Sequence, residues 1–140
     1  MKTLEEFEEE IKLLNGKIES HCEKEEEHGD QEWIGDGISN IEEYYKTSPK
    51  ILWILKEAYG KDGGVIAEDL FNKEFMLGKH RSHGTWHPII YTSYAILNSN
   101  ISCYDDMDYI ADDPTMIDIL HKIAFINVSK FPGGTTSKDS

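Results

Sequence analysis

The sequence predicts an α/β fold built on a parallel sheet, and two observations lead to this prediction. Two continuous apolar segments of strand length, Lys50–Leu55 and Ile123–Val128, lie far apart in the chain, and the residues between them carry signals for helices. Parallel strands require a long crossover of this kind. Continuous apolar runs are typical of strands buried on both faces, so we expect Ile54→Asp to unfold the domain.

The first 48 residues are predicted to form an acidic helical segment that packs on this domain. Thr3 and Glu6 have the spacing of a capping box, in which each side chain accepts a backbone N–H of the other residue. Apolar residues then recur every three or four positions, which predicts an amphipathic helix over residues 4–20. Residues 23–37 contain few apolar side chains and three glycines, which indicates a solvated loop.

Five further segments are predicted to complete the helices and loops. A short helix covers Ile41–Tyr45, and the glycine-rich residues 60–64 form a flexible or tightly turned loop after the first strand. Ile66–Phe75 is also expected to be helical. Thr85 is expected to cap a helix that runs to Leu97, and Asp113 before Pro114 opens another that ends near His121.

Composition and charge restrict the function. The net charge is −13, of which residues 1–49 carry fifteen acids against five lysines, so the acid is concentrated in one segment. This charge disfavours nucleic acid as a partner without excluding it. Two distant cysteines favour a reducing compartment, and the acidic N-terminus is unlike a signal peptide. The longest apolar run, Ile51 to Leu55, is too short to span a membrane, so we expect a cytoplasmic protein without membrane partners.

Polar side chains follow both predicted strands. If the strands are neighbours, Glu57, Tyr59, Asn127 and Lys130 meet in one crevice at the carboxyl ends of the strands, where parallel sheets bind ligands. A carboxylate there could activate water, an asparagine could recognise an amide-like edge, a tyrosine could stack on a planar ligand, and a lysine could hold an anion. Alternatively, these are turn residues, and Glu57 pairs with a lysine on the surface.

Two segments resemble the uracil-DNA glycosylase superfamily. Residues 51–60, Ile-Leu-Trp-Ile-Leu-Lys-Glu-Ala-Tyr-Gly, are similar to its first motif, in which an apolar strand runs into Gly-Glu-Ala-Pro-Gly. Residues 124–132, Ala-Phe-Ile-Asn-Val-Ser-Lys-Phe-Pro, are similar to its second strand, typically Thr-Asn-x-x-Lys followed by Pro. The resemblance covers residues 40–135 and implies a three-layer α/β/α fold around a parallel sheet.

The resemblance also implies roles for individual residues. Glu57 matches the catalytic acid that positions the attacking water, while Ala58 and Tyr59 flank the extruded base. Asn127 matches the asparagine that reads the base, and Lys56 and Lys130 complete the substrate-binding set. The implied reaction is base flipping followed by hydrolysis of an N-glycosidic bond, with DNA or a free nucleobase or nucleoside as partner and no cofactor.

The chain departs from this pattern in three places. Lys56 replaces the first glycine of the motif, and Tyr59 replaces its proline. The second catalytic motif, a His-x-Ser-Pro-type loop, has no match, and His87-Pro88 lies in the wrong part of the chain to supply it. We therefore expect residues 49–140 to be the first part of a glycosylase-like domain that continues past Ser140, and to be inactive alone. The alternative is a non-catalytic binding or scaffold module of the same fold.

A third hypothesis is the hydrolysis of some other small planar substrate in the same crevice. A zinc site is a separate possibility, because His80, His83 and His87 are spaced by three and four residues. No nearby cysteine or acid completes such a set, so we expect a polar loop there and no metal. The acids of residues 105–113 lack the pattern of a calcium loop and are expected to cap and solubilise the following helix.

Overall fold

The computed structural model describes residues 1–24, 33–59, 64–65, 73–78 and 83–133. In chain order the helices and strands are α1 (Leu4–Cys22), β1 (Ile34–Gly35), β2 (Gly37–Ile38), α2 (Ile41–Lys46), β3 (Leu52–Tyr59), β4 (Gly64–Val65), α3 (Lys73–Leu77), α4 (His83–Leu97) and β5 (Ala124–Gly133). Two 3-10 helices, Tyr104–Asp106 and Pro114–Lys122, lie between α4 and β5. The architecture is a mixture of helices and a small sheet, compatible with the predicted α/β class.

Helix α1 begins as predicted. The Thr3 hydroxyl accepts the Glu6 N–H and the Glu6 carboxylate accepts the Thr3 N–H, which completes the capping box. Helix α1 packs against α2 through the Phe7 ring, whose centroid lies 5.7 Å from that of Tyr45. The Tyr45 hydroxyl also donates to the carbonyl of Lys2, at 2.5 Å. An aromatic contact and a hydrogen bond therefore join the N-terminal helix to the segment before β3.

The main sheet has three strands in the order β2-β5-β3. Strands β3 and β5 run parallel, with Leu52 opposite Ala124, and this confirms the predicted pairing of the two apolar segments. Strand β2 is antiparallel to β5, whereas β1 pairs with β4 in a separate parallel pair. The solvated loop predicted for residues 23–37 is therefore wrong for its last part, because backbone pairing there is set by strands distant in sequence.

One face of the β3–β5 pair, which we call the covered face, holds the main core. It comprises Trp53, Leu55, Phe125 and Asn127, and α4 and the 3-10 helix Pro114–Lys122 supply most of the residues packed there. The Phe125 ring is 1% exposed and meets the Trp86 ring of α4 edge to face, with centroids 5.2 Å apart. The Trp53 indole N–H donates to the buried Ser93 hydroxyl of α4, at 3.0 Å.

The opposite face, which we call the open face, corrects the prediction of strands buried on both sides. Leu52 is 57% exposed, Ile54 68% and Val128 75%. The apolar run is genuine, but helices from the described residues pack on the covered face only. The expectation that Ile54→Asp unfolds the domain by burying a charge is therefore wrong, because that side chain already faces solvent.

Helix α4 begins earlier than predicted. The chain is already helical at His83, so Thr85 is not its cap and Pro88 lies inside the helix. Packing of Trp86 against Phe125 secures these first turns, and that tertiary contact overrides the local start signal. By contrast, Asp113 caps the 3-10 helix at Pro114 as predicted, with its carboxylate accepting the Thr115 N–H at 3.1 Å.

Two predictions fall mostly outside the described residues. These are the glycine-rich loop at 60–64, of which only Gly64 is described and belongs to β4, and the helix at Ile66–Phe75, of which α3 contains the last residues. Of the helices in the described ranges, none combines the length and apolar character needed to cross a membrane.

Candidate functional site

The carboxyl ends of β3 and β5 lie side by side. Leu55 is opposite Asn127, Glu57 is opposite Ser129, and Tyr59 is opposite Gly133, with an irregularity in register between the last two pairs. The backbone of Glu57 thus lies two residues beyond the level of Asn127 on the neighbouring strand. The topology brings the backbones of both motifs to one edge of the sheet, as the sequence analysis required.

The other residues of the predicted site lie within the same two strands. Ala58 lies between Glu57 and Tyr59 in β3, and the Lys56 side chain just before them is exposed. Lys130 lies three residues beyond Asn127 in β5. The prediction that these residues follow the strands is wrong, because β3 continues to Tyr59 and β5 to Gly133, past the predicted ends at Leu55 and Val128.

Asn127 is the most unusual polar residue of this edge. It is only 2% exposed, on the covered face with Phe125 two residues before it. Within the described part of the chain, its side-chain Nδ2 has no hydrogen-bond partner. A buried amide donor without an acceptor costs about 1–3 kcal/mol, so proteins rarely keep one unless something else satisfies it. The arrangement suits a ligand that presents a carbonyl oxygen to Nδ2.

A buried ion pair anchors the backbone of the same residue. The Asp36 carboxylate accepts the Asn127 backbone N–H at 2.5 Å, through Oδ2. The Lys130 ammonium donates to both carboxylate oxygens of Asp36, at 2.8 and 2.7 Å. The two side chains are 4% exposed for Asp36 and 13% for Lys130. The positive charge that the sequence analysis assigned to an anionic ligand thus has a protein carboxylate as its partner, and an anion would have to compete with it.

Asp36 was missed by the sequence analysis, which placed it in a solvated loop. The available signal was local: a single acid stands between Gly35 and Gly37, flanked in turn by Ile34 and Ile38. Gly37 has φ +125°, a conformation that side chains strongly disfavour. This turn separates β1 from β2, and Asp36 lies between them, beside β5. The two glycines indicated a backbone conformation that other residues disfavour. No neighbouring residue in the sequence identified the partners of Asp36.

The other clusters considered from the sequence have structural explanations where they are described. The His87 Nε2 lies 3.0 Å from the carbonyl oxygen of Met76, and His80 lies outside the described residues. Over the residues that are described, no group of three or more His, Cys, Asp or Glu side chains is placed to hold a metal ion. The backbone N–H groups of Ser102 and Cys103 donate to Asp106, and these bonds hold the pKa of that carboxyl below its usual value.

Comparison with models of protein families, with curated proteins and with solved structures found no match to this chain.

Proposed function

We propose that this protein is a uracil-DNA glycosylase-like N-glycosyl hydrolase that binds a flipped base against Asn127. The observation that carries the proposal is the Asn127 amide, which is 2% exposed and has an Nδ2 without a partner among the described residues. It lies within the central strand β5, next to the strand that carries Glu57. A uracil-like base offers carbonyl oxygens that would accept this N–H.

The chemistry follows from the placement of the two residues. A water oxygen attacks the anomeric carbon of the sugar as the bond to the base nitrogen breaks. The base leaves with the bonding electrons, and the proton that the water loses neutralises the departing base. In this proposal Glu57 orients that water and stabilises the positive charge developing on the sugar. Asn127 holds the departing base through its amide. In this proposal Glu57 and Asn127 act on different parts of the substrate, and the backbones of these residues are offset by two positions along the paired strands.

The three-layer α/β/α arrangement belongs to the same proposal. Helices cover one face of the β3–β5 pair, and the other face exposes Leu52, Ile54 and Val128. Parallel sheets are normally covered on both faces, so the exposed apolar residues of the open face support the proposal that a second layer of helices packs on it.

A non-catalytic binding module is the second candidate, and the Asp36–Lys130 pair favours it. In this candidate Asn127 still binds a planar base, but Lys130 is occupied by a protein carboxylate at 2.7 Å instead of a substrate phosphate. The replacements Lys56 and Tyr59 in the first motif point the same way, because they change the residues of β3 on either side of the proposed catalytic acid.

Two measurements on four proteins separate these functions. Uracil release from single-stranded uracil-containing DNA is measured for the native chain, Glu57→Ala, Asn127→Ala and the control Glu8→Ala, which removes an exposed acid of α1. Binding of free uracil is measured by titration calorimetry for all four proteins, and in those that keep Asn127 it is also followed by the NMR signals of the Asn127 amide.

For the hydrolase we expect release when the proteins are tested at full length, with a rate about 10²–10⁴-fold lower in Glu57→Ala and no change in Glu8→Ala. Residues 1–140 alone are expected to be inactive, because the second catalytic motif has no match in them. Uracil binding that requires Asn127, without release by the full-length protein, would support the binding module instead. If the folded full-length protein neither releases nor binds uracil, both candidates are wrong.

A further inference from the structure

We infer that Asp36 is a positioning residue, which fixes β5 at Asn127 so that the amide of that residue is held ready for its ligand. The inference rests on the proposed function for what the ligand is, but the positioning itself can be tested without a ligand. Asp36 lies outside both segments that resemble a known motif and is 91 residues from Asn127 in the chain.

The Asp36 carboxylate accepts three hydrogen bonds from residues of β5. Oδ2 accepts from the Asn127 backbone N at 2.5 Å and from Lys130 Nζ at 2.7 Å, while Oδ1 accepts from the same ammonium at 2.8 Å. These bonds involve charged groups, which makes them shorter and stronger than bonds between neutral groups. The carboxylate is 4% exposed, so water competes little for them. One side chain thus holds β5 at two positions, residues 127 and 130.

Asp36 lies where the backbone pairing between β2 and β5 ends. Strand β2 pairs with β5 only at Gly37 opposite Phe125 and at Ile38 opposite Ala124. Before Gly37 the chain turns away toward the β1–β4 pair, so backbone pairing stops short of Asn127. The Asp36 carboxylate takes over at that point and accepts the Asn127 N–H in place of a backbone carbonyl. The last part of β5 therefore depends on this side chain for its attachment on that side.

The attachment of β5 to Asp36 affects the position of the Asn127 side chain. The direction of the Asn127 side chain is set by its backbone, because that residue is buried on the covered face. A small displacement of β5 at Asn127 would move Nδ2 relative to a ligand carbonyl, and hydrogen bonds weaken steeply with such misalignment. Lys130 contributes by balancing the buried charge of Asp36. On this basis Lys130 also acts through Asn127 instead of contacting the ligand.

Two double variants test the inference, because they differ only in the acceptor offered to the Asn127 N–H. The amide double variant, Asp36→Asn with Lys130→Met, removes both charges but keeps an oxygen near that N–H. The truncated double variant, Asp36→Ala with Lys130→Met, removes both charges and the oxygen. Glu42→Gln serves as a control, since it breaks the exposed Glu42–Lys46 pair on α2. The measurements are the Asn127 backbone and side-chain amide signals without ligand, the exchange rate of its backbone amide, and the Kd for free uracil.

We expect the amide double variant to keep near-native Asn127 signals and uracil affinity. The truncated double variant should show shifted side-chain signals, faster exchange and a Kd raised roughly tenfold or more. A merely stabilising role would affect both double variants alike. The inference is wrong if the two folded variants have the same Asn127 signals and the same Kd.

The outcome for Asp36 is separable from the outcome for base binding. If native protein binds no uracil, base binding fails, and the Asn127 signals of the ligand-free variants still decide the role of Asp36. Should the truncated double variant fail to fold, Asp36→Gly with Lys130→Met replaces it in the same comparison.

Discussion

The two faces of the β3–β5 pair are built from the same kinds of residues and have opposite environments. On the covered face Phe125 is 1% exposed, whereas on the open face Val128, three residues later in the same strand, is 75% exposed. Both faces are apolar, so composition does not distinguish them. The difference arises from α4 and the 3-10 helix Pro114–Lys122, which both pack on one side. An apolar run therefore permits burial of a strand on both faces, but whether both faces are buried depends on where the helices pack.

The open face also changes along its length. Along β5 the residues of the open face, Ile126, Val128 and Lys130, alternate with those of the covered face. The apolar Val128 is far more exposed than the charged Lys130, two residues later. The Lys130 side chain is only 13% exposed, because the Asp36 carboxylate lies against its ammonium. An aliphatic side chain thus faces solvent while an ion pair is buried beside it. Buried pairs are often no more stabilising than apolar replacements, and the positioning role that we infer for Asp36 would give this pair a use besides stability.

The largest expected effect is on the covered face. Phe125→Ala should lower the free energy of unfolding by about 3–5 kcal/mol, because it removes a fully buried ring and leaves a cavity beside Trp86. Val128→Ala is the control on the open face of the same strand and should cost less than about 1 kcal/mol. Urea unfolding followed by tryptophan fluorescence measures both. Equal losses in the two variants would mean that the two faces are equally packed.

The next effect concerns the buried ion pair. Asp36→Asn should lower the free energy of unfolding by about 3 kcal/mol, because Lys130 is left with its charge mostly enclosed and unneutralised. Adding Lys130→Met to that variant should restore most of the loss. Chemical denaturation of the single and double variants gives the coupling between the two sites. An Asp36→Asn protein as stable as the native one would show that the pair is open to water.

Most features that the sequence predicted are determined locally, and the exception is the pairing of β3 with β5. The capping box of Thr3 and Glu6 and the apolar spacing after it lie within one segment, and α1 forms where they indicate. The parallel pairing of β3 and β5 followed from two apolar runs and a crossover, which restrict the topology strongly. Asp113 before Pro114 likewise carried its own start signal.

The features that the sequence did not predict depend on partners distant in the chain. Asp36 meets Asn127 and Lys130 across 91 and 94 residues, and an acid between two glycines gives no indication of either. The exposure of Ile54 depends on where the helices pack, which an apolar run does not specify. For the site, the sequence identified the two neighbouring strands but ended both of them too early, and the residue that anchors β5 became visible only in three dimensions.

The smallest expected effect is on the open face, and it tests the comparison most directly. Ile54→Asp should cost only about 1 kcal/mol, the range that strand preference alone spans, because this side chain is already 68% exposed. Ile90→Asp is the matched variant on the core side: it introduces the same charge in place of the same side chain, at a position 0% exposed. We expect Ile90→Asp to be unfolded, since its carboxylate would be buried without a partner.

Circular dichroism and thermal melting of the two aspartate variants, with binding of a hydrophobic dye, provide the measurement. A folded Ile54→Asp protein that binds less dye than the native chain would establish the open face as an accessible apolar surface, as the proposed third layer requires. If Ile54→Asp unfolds as completely as Ile90→Asp, the open face is already covered in solution. The asymmetry between the faces would then be lost, and with it the support that the open face gives to a further layer.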